Sequence, residues 1–299
     1  MKPGIYFDIP RADYDNIPAL SCTVLKKWLG CADFPSRFAK WLERRWTETP
    51  TESLLIGSAL DCMMLNANSF DQCFALVPEE APARPSKRTR TAKKPSASSL
   101  EAIEYWDKFL EGAEGKQILS AGQYTAALRM QQSLRDADCA AGIFANCRKA
   151  VIVAELFGFP CKCEIDLFLE KTEHLWDLKM TRAVAPESAF ARACIELGYD
   201  CQATFYLLMA QAVGFLEKKI FNFVAVENQE PWTPAVYSFL PFQEVEHYDI
   251  FDACRLRLAR AAGGLVTRLE RDIFRDTSDY RPIPFAKWSV HQAKMEALA

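Results

Sequence analysis

The chain has 299 residues, with 36 basic and 39 acidic side chains and a formal charge of −3. Half of the residues are hydrophobic and a quarter charged, a balance that excludes wholesale disorder and leaves room for one large or two small domains. Mild acidity argues against a surface coated in positive charge for nonspecific nucleic-acid binding, so any such site must be local.

The N-terminal MKPGIYFDIPRADYD lacks the apolar core of a secretory signal, which places the expected location in the cytoplasm. The longest nearly apolar run, Phe205 to Leu216, is interrupted by Gln211 and is too short to span a bilayer. Eleven scattered cysteines in a reducing compartment read as free thiols rather than as a disulfide framework.

From Ser21 to about Leu65 apolar residues recur three and four apart (Leu25, Trp28, Leu29; Phe34, Phe38, Trp41, Leu42), with Ser21 and Asp33 as N-cap candidates. A further helical piece follows Pro50, in which Leu54, Leu55, Ala59, Leu60 and Met63 share a face. Between Pro82 and Pro95 the composition shifts to a basic loop carrying Arg84, Lys87, Arg88, Arg90, Lys93 and Lys94 and no acid. It is either a solvated connector or a phosphate-contacting arm. Residues 100–145 are helical in pattern, with Tyr105, Phe109, Leu119, Tyr124, Leu128 and Leu134 as core candidates.

At Ala150 the period changes. AVIVAELFGF, KCEIDLFLE and HLWDLKM are rich in β-branched and aromatic residues and are separated by turn signals, which suits successive antiparallel strands. A helical stretch runs from about Pro186 to Gly214, strands are expected at Ile220–Glu227 and Ala235–Leu240, and a last helix at about Glu244–Phe274. There is no internal repeat.

Alternation along a strand sends Asp177 and Lys179 to one face and Leu178 to the other, and antiparallel pairing can bring Asp166 alongside. Three ionisable groups among Ile165, Leu167, Phe168, Leu175 and Trp176 are costly to bury unless something binds them. A hard divalent cation such as Mg²⁺ is the natural compensation, and a nearby Lys can hold an attacking water, which is the chemistry of phosphodiester hydrolysis. The alternative is a surface salt bridge at a hairpin, because a bare D-x-K is a weak pattern. Its surroundings sharpen it: Glu155 one strand earlier, Asp61 in the helix IGSALDCMML, and Gln202 and Tyr206 four apart on a following helix. Glu155 either supplies a second metal site or faces solvent. His174, His247 and His291 show no zinc-ligand spacing, and His174 reads as a surface residue near a turn.

The order of acid on a strand, hairpin, D-x-K, and helix with Gln and Tyr resembles the PD-(D/E)xK nuclease superfamily. Within it the chain resembles the RecE-type exonucleases, the exodeoxyribonuclease VIII C-terminal domain and its phage relatives. The resemblance rests on LSCTVLKKWL, LLIGSALDCMML, KRTRTAKK, AELFGFPCKCEIDLFLE, HLWDLKMT, YDCQATFYLLMA, FNFVAVENQEPW and YRPIPFAKW, in family order from about residue 12 to 288. It implies an α/β fold in a single domain spanning 1–299: a mostly helical part (1–145) layered on a mixed central sheet flanked by helices (146–299).

It further implies Asp166, Asp177 and the carbonyl of Leu178 as metal ligands, Lys179 as the water-orienting residue, and Gln202 and Tyr206 lining the cleft. Asp61 stands where the family usually has His, and Glu164-Ile165 where it has Arg-Pro. The implied activity is Mg²⁺-dependent (Mn²⁺ substituting), ATP-independent 5′-to-3′ degradation of linear double-stranded DNA to leave 3′ overhangs. A ring-shaped homo-oligomer and a RecT-type single-strand annealing protein are the implied partners, with no membrane. No G-x-x-x-x-G-K-[ST] motif is present for an ATPase. Superfamily members with an iron–sulfur cluster use one early and three late cysteines, whereas only Cys254 lies beyond Cys201 here, so none is expected. Ser21, Arg37, Arg88 and Arg90 are candidates for holding a terminal phosphate, or else cap a helix or are solvated. Two other functions remain open: another nuclease of the superfamily (single-strand exonuclease or nickase), and a DNA-binding or assembly protein with weak catalysis.

Overall fold

The structure, a computed structural model, describes residues 1–31, 35–43, 51–140, 142–169, 174–215, 220–240, 244–245 and 248–271. Asp33, Phe34, the 171–173 turn, His247, His291 and the closing YRPIPFAKW lie outside them. In chain order the elements are β1 (Gly4–Phe7), α1 (Arg11–Asn16), β2 (Leu20–Ser21), α2 (Cys22–Cys31), α3 (Pro35–Leu42), α4 (Glu52–Leu65), α5 (Phe70–Cys73) and β3 (Phe74–Leu76). Next come α6 (Lys87–Arg90), α7 (Ala97–Gly112), β4 (Gln117–Leu119), α8 (Ala121–Asp136), α9 (Ile143–Asn146), β5 (Arg148–Leu156), β6 (Phe159–Phe168) and β7 (His174–Thr181). The chain continues through α10 (Glu187–Leu197), α11 (Tyr199–Ala212), β8 (Ile220–Glu227), β9 (Pro234–Phe239), β10 (Glu244–Val245), β11 (Tyr248–Asp249) and α12 (Ile250–Arg271).

A mixed sheet in the order β1-β5-β6-β7-β8-β9 forms the centre, as expected for an α/β protein. β5 and β6 form a long antiparallel hairpin around Phe157 (φ 57°) and Gly158 (φ 80°), two consecutive left-handed residues as a tight hairpin turn requires. β7 and β8 are parallel over eight residues, from His174↔Ile220 to Thr181↔Glu227. The crossover between them is α10 and α11.

Alternation along β8 sends Phe221, Phe223 and Ala225 to one face, where they meet Leu25 and Trp28 of α2, Phe205 of α11 and Leu258 of α12. Val224 and Val226 face the other way, onto Leu60 of α4 and Met130 and Leu134 of α8. Helices therefore cover both faces; Leu25, Trp28, Leu60 and Leu134 do so as the periodicity assigned, whereas Leu54, assigned to the same face as Leu60, is exposed.

One edge of β6 is divided between two neighbours. β2 pairs with it in parallel at Cys161 and Lys162, and β7 meets it antiparallel at Leu167↔Trp176. Residues 163–166 lie between those two contacts. On its opposite edge β6 carries an extra residue relative to β5, since Arg148 pairs with Phe168 but Ala150 with Ile165. This bulge reverses the alternation: Ile165 and Phe168 both enter the core that contains α11, while Leu167 joins the core under α4.

Buried charges fasten the loops. The Lys162 ammonium donates to the carbonyls of Tyr14, Asp15 and Ile17 at 2.7–3.1 Å and so terminates α1. The Glu227 carboxylate accepts the backbone N–H groups of Val184 (3.1 Å) and Thr233 (3.3 Å), which ties the segment after β7 to the β8–β9 connection.

Several expectations are corrected. The basic stretch is not simply a loop: Ser86 caps one helical turn, Lys87–Arg90, and the segment is docked along α7. Trp106 donates to the Pro82 carbonyl at 2.8 Å, Arg84 stacks on the Trp106 ring at 5.3 Å, and Arg90 pairs with Asp107 at 2.6 Å. Leu119 is buried but in a strand, paired in parallel with β3, and Leu128 is exposed. The helix expected from Pro186 to Gly214 is two helices broken at Gly198, whose left-handed φ of 65° ends α10. β1 and α1 lack a periodic signal because they are too short to show one. His174 is half-buried, with Nδ1 3.2 Å from the Asn222 amide.

Replacing Glu227 by Gln keeps its shape but substitutes a donor for one acceptor, so a backbone N–H loses its partner. The expected cost is about 1–3 kcal/mol, read as a lower urea midpoint with unchanged slope.

Candidate active site

Strand alternation places Leu175, Asp177 and Lys179 on the β7 face that looks toward α11, and the two charged side chains meet in an ion pair. Asp177 is buried at 3% exposure. Its Oδ1 accepts the Gln202 side-chain amide of α11 at 3.2 Å, and its Oδ2 is paired with the Lys179 ammonium. Asp166 and Asp177 each neighbour the Leu167↔Trp176 pair that joins the two strands, and their charges interact. Asp166 lies at the bulge and is held by Lys149 of β5 at 2.8 Å. Asp61 projects from α4 toward the same point, where it interacts electrostatically with Asp166, Asp177, Lys179 and Lys149.

Three carboxylates therefore share a poorly hydrated site with two ammonium groups. Burial, then the charges of Asp166 and Asp177, push the Asp61 carboxyl up to about 7. Burial also raises Asp177, against the pull of Lys179. Burial opposes the charge on Lys179, but Asp177 with Tyr199 and Asp61 outweighs it, and the ammonium keeps its proton. Lys149 follows the same logic, with Asp166 overcoming burial. The excess of carboxylates over ammonium groups suits a hard cation.

Gln202 and Tyr206 come to the site as their spacing indicated. Tyr206 is raised well above the ordinary phenol range by burial, with Cys163 and Asp177 adding to it. Glu155 does not come to the site: it is exposed near the hairpin turn opposite Pro160, six strand residues and about 20 Å from Asp166. The outward reading of Glu155 is the one the fold supports.

The phosphate candidates are dispersed. Ser21 caps α2, its Oγ accepting the Val24 N–H at 3.3 Å, and sits beside the divided edge of β6. Arg37 is exposed on α3, Arg88 is exposed on α6, and Arg90 is engaged by Asp107.

Three residues escaped the sequence reading. Lys149 precedes the apolar run of β5 and carries no motif of its own. Tyr199 lies three residues before Gln202 and seven before Tyr206, a shared helical face legible from spacing alone; its ring covers the Lys179 ammonium at 4.8 Å. Lys26 of α2 flanks the same ring at 5.9 Å and donates to the Leu197 carbonyl at 2.7 Å.

Among the described residues, one trio of carboxylate and thiol atoms lies within 4.8 Å of one another, and it is Asp200, Cys201 and Cys254 at the junction of α11 and α12 rather than the acids of the strands. No helix among the described residues is long and apolar enough to cross a membrane.

Comparison with known proteins bears on the fold and the family. No curated protein matches the sequence. A crystal structure of a presumed exonuclease from Eubacterium rectale has the same fold, with a TM-score of 0.58 and 14% identity over 95% of this chain and 98% of that one. Residues 21–250 match the family described as a PDDEXK-like domain of unknown function (DUF3799). Divalent metals and nucleic-acid cleavage are the general chemistry of PDDEXK folds, which supports a nuclease-type function. An acid on one strand, an Asp-x-Lys on its neighbour and a helix that grips the second acid thus stand in a chain that belongs to the PDDEXK-like DUF3799 family.

Proposed function

We propose that this chain is a metal-dependent, ATP-independent exodeoxyribonuclease that degrades one strand of linear double-stranded DNA from its 5′ end and leaves 3′ overhangs for recombination. The observation that carries the reading is the buried Asp177–Lys179 pair, gripped by Gln202 and faced by Asp166 and Asp61. Polarity and duplex preference rest on the resemblance to RecE-type exonucleases, as do a ring-shaped homo-oligomer and a RecT-type annealing partner.

Asp166, Asp177, Asp61 and the Leu178 carbonyl are the groups that would hold Mg²⁺, or Mn²⁺ in its place. Such a cation, when bound, acidifies a water and stabilises charge on the phosphate. The protein's own part is positioning. Gln202 fixes the rotation of the Asp177 carboxylate. The Lys179 Nζ, screened by the Tyr199 ring, donates a hydrogen bond that aims the attacking oxygen at phosphorus. Lys149 neutralises Asp166 in the cation-free state. The same Lys149–Asp166 contact, together with Asp61 in place of His, favours the second reading: a DNA-binding protein with weak catalysis.

End-labelled linear duplex, circular duplex and single strands, each with Mg²⁺ or EDTA, separate these readings. Degradation of linear duplex alone, releasing 5′ label first, is expected. Cutting of circles would overturn the exonuclease assignment, and binding without degradation would establish the second reading. Lys179→Ala and Asp177→Ala should each lower the rate by about 10²–10⁴-fold with folding intact; a retained rate in either variant refutes their roles.

A pH test addresses Asp61. Its folded-state value of about 7 exceeds the roughly 3.9 of an unfolded chain, so the native state binds more protons between those limits. Stability contributed by the protonated carboxyl is therefore full at low pH and lost as pH rises through 7. In EDTA, melting temperature should fall across that window in the wild type and flatten in Asp61→Asn. At pH 7.5, Mg²⁺ at ten times its Kd should restore about 1.4 kcal/mol, a rise of roughly 2–4 °C, and less in the variant.

The docked basic segment gives a further expectation. Reversing Lys87 and Arg88 to Glu should weaken duplex binding equally for all sequences and lower the salt slope by about one per lost phosphate contact. An unchanged slope in a filter-binding titration would leave this segment out of the DNA path.

A further inference from the structure

Cys201 is the third residue of α11, and Cys254 lies in the second turn of α12, both nearly inaccessible at 1% and 5% exposure. Their sulfurs and an Asp200 carboxylate oxygen fall within 4.8 Å of one another. Such a trio has the composition of a soft-metal site, and Arg257, Lys26 and Glu196 border it. The Arg257 guanidinium donates to Cys201 Sγ at 3.9 Å, and Lys26 lines the same cavity. The contact with Cys254, and then the charges of Arg257 and Lys26, lower the Cys201 thiol against burial and the charge of Asp200. Cys254 differs: its S–H donates to Asp200 Oδ2 at 3.4 Å, which keeps it protonated beside a base.

A cavity of about 190 Å³, with Cys201, Arg257, Lys26 and Gly198 in its lining, lies beside Cys201 and is large enough for a small oxidant. We propose that Cys201 and Cys254 are a peroxide-sensitive dithiol, with Cys201 the attacking and Cys254 the resolving thiol, that closes into a disulfide joining α11 to α12.

The Cys201 thiolate attacks one oxygen of a hydroperoxide and breaks the O–O bond. It becomes a sulfenic acid, while the departing hydroxide takes up a proton as water. Cys254 passes its proton to Asp200 and attacks the Cys201 sulfur. The hydroxyl leaves with that proton as a second water. Two thiols are oxidised by two electrons and one hydrogen peroxide is reduced to two waters, so the step balances. Rotation of the two side chains supplies the approach, since the sulfurs already face each other between packed helices.

The test uses the full chain, purified under reducing conditions and treated with one equivalent of hydrogen peroxide. Peptide mapping without reductant should show a Cys201–Cys254 cross-link, a mass loss of about 2 Da, and denatured thiols falling from eleven to nine, all reversed by dithiothreitol. Cys254→Ser should accumulate a dimedone-reactive sulfenic acid on Cys201, whereas Cys201→Ser should accumulate none on Cys254. Arg257→Met should slow the reaction roughly three- to tenfold, the effect of half to one unit of thiol acidity. Oxidation of the exposed Cys73 and Cys139 while Cys201 and Cys254 remain thiols would overturn the proposal. So would one equivalent of zinc retained by the purified protein and lost in Cys201→Ser. Wild-type mapping needs no variant, so a folding failure in either Cys variant leaves the outcome decisive.

Discussion

A carboxylate taken out of water at Asp177 is the constraint around which the rest of the structure is arranged. One oxygen is held by an amide from α11 and the other by an ammonium two residues along the same strand. Isolated, such a charge would be neutralised or expelled. It persists here because β7 is locked to β8 over its whole length and because α11 is packed into the core beneath it. The apolar side chains Phe205, Phe221 and Phe223 thus have a chemical consequence: they fix two polar groups at a separation that neither would choose in water.

The division of the β6 edge complements that constraint. If β7 continued along β6, backbone groups would fill the space beside Asp166. Because β2 takes one end of the edge and β7 the other, and because the bulge reverses alternation after Asp166, the ladder is interrupted where acids from two strands and one helix converge.

Much of this was legible in the sequence. The period-two runs from Ala150 onward gave the strands, the D-x-K spacing gave one face, and the four-residue interval between Gln202 and Tyr206 gave the helix that meets it. What escaped has physical reasons. Lys149 contacts Asp166 through a strand pairing whose register depends on a bulge, and no local pattern announces a bulge. Glu155 has the right residue type on the right strand but the wrong end, and strand periodicity says nothing of which end a hairpin presents. The basic segment was read as a loop, either a solvated connector or a phosphate-contacting arm, because its sequence shows charge and proline, while its docking depends on Trp106 and Asp107, which lie on another element. Cys201 and Cys254 are 53 residues apart in the numbering, a proximity created only when α12 folds back on α11.

The shared edge of β6 also bears on how the protein breathes. Along residues 163–165, alternate backbone amides point toward β5, where pairing with Ala150, Val151 and Ile152 protects them, while the others point toward the edge shared by β2 and β7. A single strand at the centre of the sheet should then show two populations of amide hydrogens, one exchanging with deuterium only on global unfolding and the other through small local openings.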